Sequence, residues 1–384
     1  MGPKIVRTRI PSSKGKLSAV IHYPENESEM LAILCPGYLD SKDYQHLVGL
    51  AEVLNNIGYT VVRFEPAGTW ESEGNISDYT TTQYLEDIKS VLEYMLHRKR
   101  YRHVLLGGHS RGGQVSILYA ARDQRISQVL AIMASSKHTM TGQRYKGWEK
   151  TGVSISSRDL PENKDKKREF QVPFSHAVDR EKYDLMEDVR KVNVPIIVIA
   201  GELDEICLPK HVKEIFDSAN QPKKFVTIRG IGHDYRHSNS EVDMVNKEIL
   251  KLVKIKVILV DAVDTFVIED GGKFNIFKEM YDLLETFPNR KIILTGANDE
   301  QIKKFGLDKM PYKIFTLKHN PEKTDPKYFR MMLRQFDFSK DDVVYFEHNP
   351  EALKSAESVG IKAYHYDPEK KDLKALKRFL TESI

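Results

Sequence analysis

A serine lies among glycines in the segment Gly107–Gly113, whose sequence is GGHSRGG. The segment follows an apolar run and precedes a helical pattern, which is the context that a Gly-x-Ser-x-Gly nucleophile turn requires. A serine on such a sharp strand-to-helix turn has a strained backbone, and side chains two residues away on either side would collide. Gly108 and Gly112 remove those side chains, so the pattern predicts that Ser110 is an exposed nucleophile. An ordinary glycine-rich turn is the simpler alternative.

A serine hydroxyl becomes an effective nucleophile only when a base takes its proton and an acid orients that base. Asp204 follows the apolar run Pro195–Ala200, and His233 follows the run Lys224–Arg229. The chain order serine, acid, histidine is the one expected for this succession of elements. We therefore predict a catalytic triad of Ser110, His233 and Asp204. Three rival acids nearby are interpreted as solvated side chains: Glu202, Glu205 and Asp234.

An oxyanion hole needs two donors aimed at the developing negative charge. We predict that one is the backbone N–H of Arg111, the residue after the nucleophile. The other is predicted to be the N–H of Tyr38, because Gly37 beside it lets the backbone approach closely. A plain Pro36-Gly37 turn is compatible with this role.

These residues need a sheet that brings distant segments to one edge. Short apolar runs alternate with helical patterns in the first two-thirds of the chain, which favours a mostly parallel sheet covered by helices, an α/β fold. All three triad residues would then lie beyond strand ends, where open α/β sheets bind ligands. The remaining predicted strands are Leu17–Tyr23, Met30–Cys35, Thr60–Phe64, His103–Gly107 and Gln128–Ala134, and predicted helices include Tyr44–Asn56, Gln83–His97 and Gln114–Arg122.

The segment 135–192 interrupts the alternation with scattered glycines, the charged run Arg158–Glu169 and little strand signal. A structureless loop of this length is improbable inside a compact domain. We predict an insertion with some helix of its own that caps the end of the sheet. Most of its aromatic side chains are expected to pack it onto the body, with lining of a substrate cavity as the alternative: Tyr145, Trp148, Phe170, Phe174 and Tyr183.

The first unit, 1–253, resembles the α/β-hydrolase fold, and most closely the intracellular esterases of the cinnamoyl (feruloyl) esterase and serine aminopeptidase-like groups. The turn Pro36-Gly37-Tyr38 is similar to their His-Gly-aromatic oxyanion turn, with proline in place of histidine. The segment Arg63–Gly74 (RFEPAGTWESEG) is similar to their stretch after the next strand, with Glu65 and Trp70 as departures. The resemblance covers about residues 5–252 and implies ester or amide hydrolysis through an acyl-serine intermediate. It does not define the acyl group.

A second alternating series over 254–384 predicts a smaller, Rossmann-like unit. It resembles the haloacid dehalogenase-like superfamily, whose members use a carboxylate nucleophile at the end of a first strand. Asp261 stands at that position; the resemblance implies that Thr295 and Lys323 hold a phosphoryl group and that Glu347 helps to bind magnesium. Its predicted strands are Lys254–Val260, Lys291–Leu294, Lys313–Thr316, Val343–Phe346 and Ala363–Tyr366.

The second unit departs from that pattern at the general acid. Val263 stands where phosphatases of this type have an aspartate, and Asp264 would point to the opposite side of an extended segment. Loss of an acid–base group costs about 10²–10⁴-fold in rate. We interpret the unit as a degenerate relative that serves packing, dimerisation or regulation. Magnesium-dependent phosphatase activity at Asp261 is the alternative.

Composition excludes several classes of protein. The 384 residues are 40% hydrophobic, and 59 basic against 55 acidic residues leave a net charge of +4, which supports neither disorder nor a nucleic-acid-binding stripe. No run approaches the ~18 apolar residues that span a bilayer, and the start of the chain lacks an apolar signal core. Two cysteines, Cys35 and Cys207, cannot form a disulfide framework. We expect a cytoplasmic protein that binds neither nucleic acid nor membrane.

Taken together, the sequence predicts a serine carboxylesterase acting on a small-molecule ester, with no cofactor and no metal in the first unit. Peptidase and thioesterase activities use the same acyl-transfer apparatus and stay open. Magnesium, held by Asp261 and Glu347, would be needed only if the second unit is active. If the second unit is not an enzyme, it could mediate homo-oligomerisation.

Overall fold

The computed structural model describes residues 4–25, 28–137, 142–253, 256–287, 289–310 and 312–383. It divides into two compact units, Met1–Val253 and Lys254–Ile384. The first unit contains the strands β1 (Lys4–Ser12), β2 (Gly15–Tyr23), β3 (Met30–Cys35), β4 (Thr60–Phe64), β5 (His103–His109), β6 (Gln128–Ile132), β7 (Val153–Leu160), β8 (Asn163–Pro173), β9 (Ile196–Gly201) and β10 (Lys223–Ile228). Its α-helices are α1 (Gln45–Asn56), α2 (Thr81–Leu96), α3 (Arg111–Ala120), α4 (Gly142–Thr151), α5 (Ser175–Arg180), α6 (Leu185–Asp188), α7 (Pro209–Ser218) and α8 (Asn239–Val253).

Eight strands form the main sheet in the order β1-β2-β4-β3-β5-β6-β9-β10. The pairs β1–β2 and β2–β4 are antiparallel, and the other neighbours are parallel. The mostly parallel sheet expected from the sequence is thus confirmed. Strands β3, β5, β6 and β9 are buried over almost their whole length, which explains their continuous apolar runs.

Strand β1 was not predicted from the sequence. It is an edge strand with mostly exposed or half-exposed side chains, so it lacks the apolar run by which the inner strands were found. Strand β1 is instead stabilised by antiparallel pairing with β2 over nine residues, from Lys4 opposite Tyr23 to Ser12 opposite Gly15.

The capping insertion contains a β-hairpin that the sequence pattern did not indicate. Strands β7 and β8 pair antiparallel across the charged run, with Arg158 opposite Arg168. The insertion has the helices that were predicted, α4, α5 and α6, and in addition a hairpin for which the sequence showed little strand signal. Most side chains of β8 are exposed on both faces, so the alternation of polar and apolar residues that marks a half-buried strand is missing.

The second unit has a five-stranded parallel sheet in the order β15-β14-β11-β16-β17. Its strands are β11 (Val257–Asp261), β12 (Val267–Asp270), β13 (Lys273–Ile276), β14 (Lys291–Thr295), β15 (Lys313–Thr316), β16 (Val343–Glu347) and β17 (Lys362–His365), and its α-helices are α9 (Lys278–Glu285), α10 (Asp299–Lys304), α11 (Pro326–Phe336), α12 (Pro350–Ser358) and α13 (Leu373–Ser383). Strand order reverses at β11, where ligand crevices form in open parallel sheets, and Asp261 ends that strand. Residues Lys254 and Ile255 of the first predicted strand lie outside the described residues.

Candidate active site

Ser110 lies on the sharp turn between β5 and α3. Its φ of 53° and ψ of −118° are strained for a residue with a side chain, and its N–H donates to the carbonyl of Ile132 at 2.7 Å. A Cβ atom at Gly108 would lie 2.1 Å from the carbonyl oxygen of Cys35, and one at Gly112 would lie 1.9 Å from it. Both glycines are therefore required because the end of the neighbouring strand β3 presses against the turn.

The substitution Gly112→Ala is expected to destabilise the protein by about 3 kcal/mol, because its Cβ would overlap backbone that cannot move aside. Gly147→Ala is the matched control. Gly147 lies within α4 with open space around it, and alanine favours a helix by about 1 kcal/mol. Urea denaturation of both variants measures the effect. Equal stability of Gly112→Ala and the wild type would show that the turn is less tight than described.

The structure brings the three predicted triad residues together. Oγ of Ser110 lies 3.1 Å from Nε2 of His233, and Nδ1–H of His233 donates to Oδ2 of Asp204 at 2.8 Å. The other carboxylate oxygen of Asp204 accepts the backbone N–H groups of Ile206 and Cys207 at 2.9 and 2.7 Å. Asp204 is buried, whereas the rival acids Glu202, Glu205 and Asp234 are exposed. The arrangement is that of a nucleophile, a base and an orienting acid.

The environment of His233 makes it a strong base. Burial lowers the pKa of His233, but its contacts with Asp204 and Cys207 outweigh that effect and raise the pKa to about 10. The side-chain ligand atoms of Asp204, Cys207 and His233 all lie within 4.8 Å of one another. The sequence gave no indication that Cys207, three residues after Asp204, contacts His233. Cys207 was considered there only as a possible disulfide partner.

Only neutral His233 can accept a proton, and its raised pKa keeps it protonated up to a higher pH than an ordinary histidine. The activity of this site is therefore expected to increase with pH at values above the usual pKa of histidine. Cys207→Ala removes one contact that raises the pKa, so the ascending limb of kcat/KM is expected to move to lower pH. A pH profile of ester hydrolysis, corrected for spontaneous hydrolysis, measures both. Cys35→Ala, which removes the other buried thiol, is the control and should leave the limb in place. An unmoved limb in Cys207→Ala would contradict the assignment.

The two residues predicted to supply the oxyanion donors, Tyr38 and Arg111, line the same cavity as Ser110. In the described part of the chain, the backbone N–H groups of Tyr38 and Arg111 donate to no carbonyl or side chain. Both amides are therefore available to a substrate oxygen.

The loop that carries Tyr38 is held by residues that the sequence did not connect to it. Leu39 has a positive φ of 58°; its N–H donates to the hydroxyl of Tyr79 at 3.1 Å, and its carbonyl accepts Nε1–H of Trp70 at 3.0 Å. The carbonyl of Tyr38 accepts from Arg158 of the hairpin at 2.7 Å. Trp70, a departure from the esterase pattern, thus fixes the oxyanion loop.

Glu65, the other departure, is fully buried close to the same loop. Its carboxylate accepts the hydroxyl of Ser41 at 2.8 Å and the N–H of Glu71 at 3.0 Å, and it lies 3.4 Å from the ammonium of Lys42. Burial raises the pKa of Glu65, although Lys42 and these donors oppose the shift. Glu65 therefore stabilises the segment around the loop and does not reach the nucleophile's cavity.

A cavity of about 820 Å³ opens above Ser110 and His233. Of the five aromatic residues singled out in the insertion, Tyr145 and Trp148 line it. Trp148 and Phe170 are buried, and Nε1–H of Trp148 donates to the carbonyl of Val172. Phe174 packs on Tyr145 and Trp148, and the hydroxyl of Tyr183 is hydrogen-bonded to Thr82. The insertion therefore both packs onto the body and encloses the cavity.

Comparison with known proteins agrees with the fold of the first unit. A family model described as alpha/beta hydrolase fold matches residues 33–151. Est1E from Butyrivibrio proteoclasticus with ferulic acid bound has a TM-score of 0.52 at 23% identity, covering 64% of this chain and 97% of that one. The alpha/beta hydrolase GrgF from Penicillium sp. sh18 has a TM-score of 0.56 at 17% identity, covering 64% and 96%. The first unit has the α/β-hydrolase fold.

A mammalian protein is also similar to part of this chain. The mitochondrial palmitoyl-protein thioesterase ABHD10 of Mus musculus is 23% identical over 220 residues, which cover 56% of this chain and 71% of that protein. The fold predicted for the unit is thus confirmed. No helix in the described residues is long and apolar enough to cross a membrane.

Beside the triad, the α/β-hydrolase unit also buries a group of potential metal ligands. One ligand atom each from Asp40, His46 and His109 lies within 4.8 Å of the others, and the ring nitrogens of both histidines are buried without a hydrogen-bond partner. The guanidinium of Arg158 lies 4.0 Å from the Asp40 carboxylate, which disfavours a further cation there. The ring centroid of His109 lies 4.6 Å from that of His233, so this group packs against the histidine of the predicted triad.

In the second unit, three of the four predicted phosphoryl-site residues meet at the carboxyl ends of the strands. The ammonium of Lys323 bridges Asp261 and Glu347, and its distance to Glu347 is 2.7 Å. The hydroxyl of Thr295 instead accepts the N–H of Ala297. Burial alone would raise the pKa of Asp261, but Lys323 and His348 hold it well below its usual range.

Asp264 does not point away from this cluster, as an extended segment would require. It has a positive φ of 62°, because the chain turns directly after β11, and its carboxylate lies 3.9 Å from Nε2 of His348. The expectation of an opposite orientation is therefore wrong.

The residues around Asp261 do not fit magnesium. The Asp261 oxygens accept from Lys323, Thr265 and His348, and those of Glu347 accept from Lys323, the hydroxyl of Tyr345 and the N–H of Asn349. Hydrogen bonds to Asp261 and Glu347 raise the pKa of His348 to about 10, so a second cation faces the carboxylates at neutral pH. Magnesium prefers free carboxylate oxygens and water, whereas each of the four oxygens here already accepts a hydrogen bond and two cationic side chains face them.

Proposed function

We propose that the α/β-hydrolase unit is a serine carboxylesterase that cleaves small-molecule esters through an acyl-serine intermediate. One observation carries the proposal. His233 lies within hydrogen-bond distance of both Ser110 and the buried Asp204, beside a cavity large enough for a substrate.

The reaction follows from these positions. Oγ of Ser110 attacks the ester carbonyl carbon while Nε2 of His233 takes its proton, and Asp204 stabilises the resulting imidazolium. The negative charge on the carbonyl oxygen is stabilised by the N–H groups of Tyr38 and Arg111. His233 then protonates the leaving alcohol. A water molecule attacks the acyl-serine with His233 again as base, and the acid is released.

The choice of ester is supported by the cavity and by the similar proteins. Tyr145 and Trp148 give the cavity aromatic walls, and the Est1E structure contains ferulic acid. Aromatic esters of the feruloyl type are therefore the first substrates to test. Thioesters are the second class, because the mouse relative is named a thioesterase and the same apparatus transfers acyl groups from sulfur.

The wild-type protein is expected to react with a fluorophosphonate probe at Ser110, identified by peptide mass spectrometry, and to hydrolyse members of a panel of esters and matched thioesters. The panel varies acyl length and aromatic character. Labelling at another residue, or no turnover of any acyl substrate, would refute the proposal.

For the second unit we propose a non-catalytic role, in packing or association of copies of this chain. The occupied carboxylates of Asp261 and Glu347 and the absence of an acid at Val263 support it. The protein is expected to release no phosphate from a broad panel of phosphate esters with magnesium. Asp261→Asn should leave ester hydrolysis unchanged. Magnesium-dependent phosphate release that Asp261→Asn abolishes would establish the alternative, a phosphatase.

A further inference from the structure

Arginines gather in the cavity of the α/β-hydrolase unit. Arg111, Arg158 and Arg180 all line it together with Ser110. Arg111 follows the nucleophile at the start of α3 and is buried, and Arg180 ends α5 in the capping insertion and is half-buried. Two different elements, α3 and α5, thus contribute arginines to the lining of one cavity, and the same two arginines also line a neighbouring pocket.

Two of these guanidinium groups have no counter-charge. Among the described residues, no carboxylate lies within 4.0 Å of Arg111 or Arg180, whereas Arg158 has Asp40 at that distance. Arg111 donates to the hydroxyl of Thr81 at 3.0 Å and its Nε is buried without a partner, and Arg180 donates to the amide oxygen of Gln114 at 2.9 Å. Burying an unpaired cation costs free energy, and a bound anion would reduce that cost.

The positive charge of these arginines affects the pKa values of nearby groups. Burial, followed by the charge of Arg111, lowers the pKa of Arg180 to about 10. Burial and the charges of Arg111 and Arg180 lower the pKa of His176, which also lines the cavity, to about 3. His176 is therefore neutral and supplies no further charge. The positive charge that acts on His176 comes from Arg111 and Arg180, and the exposed Arg144 also lines the cavity.

The carboxylates that line the cavity serve other groups. Glu181 accepts the hydroxyl of Tyr145, and Asp40 lies near His46 and His109. Glu205 and Asp234 are exposed. None of them neutralises Arg111 or Arg180.

We infer that the cavity binds esters that carry a free carboxylate, and that Arg111 and Arg180 hold this carboxylate while Ser110 attacks the ester carbonyl. Guanidinium groups match carboxylates with paired N–H donors, and a charged partner restores the missing counter-charge. A carboxylate suits the site better than a phosphate dianion because other carboxylates line the same cavity. The inference rests on the proposed esterase function and adds the class of substrate.

The test compares matched ester pairs that differ in one carboxylate. Mono(4-nitrophenyl) adipate is paired with 4-nitrophenyl heptanoate, and 4-carboxyphenyl butyrate with 4-acetylphenyl butyrate, so that the charge lies on either side of the ester. The wild type is expected to prefer the charged member of at least one pair. Arg180→Gln should lower kcat/KM for that ester by about 10–100-fold, mainly through KM, and change its neutral partner by less than about threefold.

Two further variants guard against a purely structural effect. Arg180→Lys keeps the charge and should restore part of the preference, whereas Arg190→Gln removes an exposed arginine outside the cavity and should change neither ester. Thermal denaturation shows whether each variant is folded. If Arg180→Gln lowers kcat/KM equally for charged and neutral esters, and Arg180→Lys restores none of the preference, the carboxylate site is refuted. The proposed esterase function is not affected by that result.

Binding separates the inference from the proposed function. Calorimetry on the wild-type protein is expected to detect adipate, which cannot be hydrolysed, with an affinity that falls as salt rises and is lost in Arg180→Gln. The neutral adipamide should not bind. If no ester is hydrolysed but adipate binds in this way, the result supports the carboxylate site and refutes the proposed esterase function. Absence of adipate binding in an active esterase refutes the carboxylate site.

Discussion

Replacing Ser110 by alanine is expected to lower kcat/KM for a short 4-nitrophenyl ester by about 10⁵–10⁶-fold and to leave the protein folded. In the proposed mechanism the oxygen of this hydroxyl bonds to the acyl carbon, and an alanine side chain offers no nucleophile in its place. The hydroxyl is also not needed for the fold, since its hydrogen bond runs to Nε2 of His233 and the N–H of Ser110 keeps its bond to Ile132. Initial rates and the thermal transition of the purified variant measure the two parts of this expectation.

Ser90→Ala is the matched control, because Ser90 is a serine of α2 whose hydroxyl only bonds the carbonyl of Glu86 one turn earlier. It should hydrolyse the ester at the wild-type rate. The Ser110→Ala variant should also lose its reaction with a fluorophosphonate probe. Hydrolysis that survives in a folded Ser110→Ala protein would place the nucleophile elsewhere.

Asp204→Asn is expected to reduce kcat by about 10⁴-fold with a smaller effect on KM. The asparagine can still accept the N–H groups of Ile206 and Cys207, so the loop after β9 should keep its shape. Its amide would then face Nδ1 of His233 with a donor, which favours the tautomer whose Nε2 carries the proton and cannot accept one from Ser110. The loss of the carboxylate also leaves the imidazolium of the transition state without its partner.

Asp234→Asn controls for a change of charge near the histidine, because Asp234 follows His233 directly and is exposed. It should retain nearly full activity. The pH profile of residual activity in Asp204→Asn gives a second reading, since contact with Asp204 is one of the causes that raise the pKa of His233. The ascending limb should therefore move to lower pH. Wild-type rates in Asp204→Asn would show that another acid, such as Glu205, orients the base.

Much of the first unit could be predicted because its information is local. Buried parallel strands carry continuous apolar runs, so β3, β4, β5 and β9 were found within one or two residues of their ends. Parallel strands in one sheet direct their carboxyl ends to one edge, and that rule alone predicted that Ser110, Asp204 and His233 would lie near one another. The glycines of the nucleophile turn were found from their spacing.

The tertiary structure decided what depends on contacts between distant segments. The exposed hairpin β7–β8 has no apolar periodicity, and only its pairing and its bond from Arg158 to Tyr38 reveal its place. Which group holds the oxyanion loop is likewise a matter of distance, because Trp70 and Tyr79 reach Leu39 across more than 30 residues of chain.

The same division applies to charge. The sequence shows arginines at positions 111 and 180, but it does not show which arginines lack a carboxylate partner. Pairing depends on distances of a few ångströms between side chains from different elements, and these distances exist only once the chain has folded. The positions of the inner strands and of the glycine-flanked serine could thus be predicted locally from the sequence. The order of the strands in the sheet and the electrostatics of the cavity depend on the packing of distant segments and were decided by the tertiary structure.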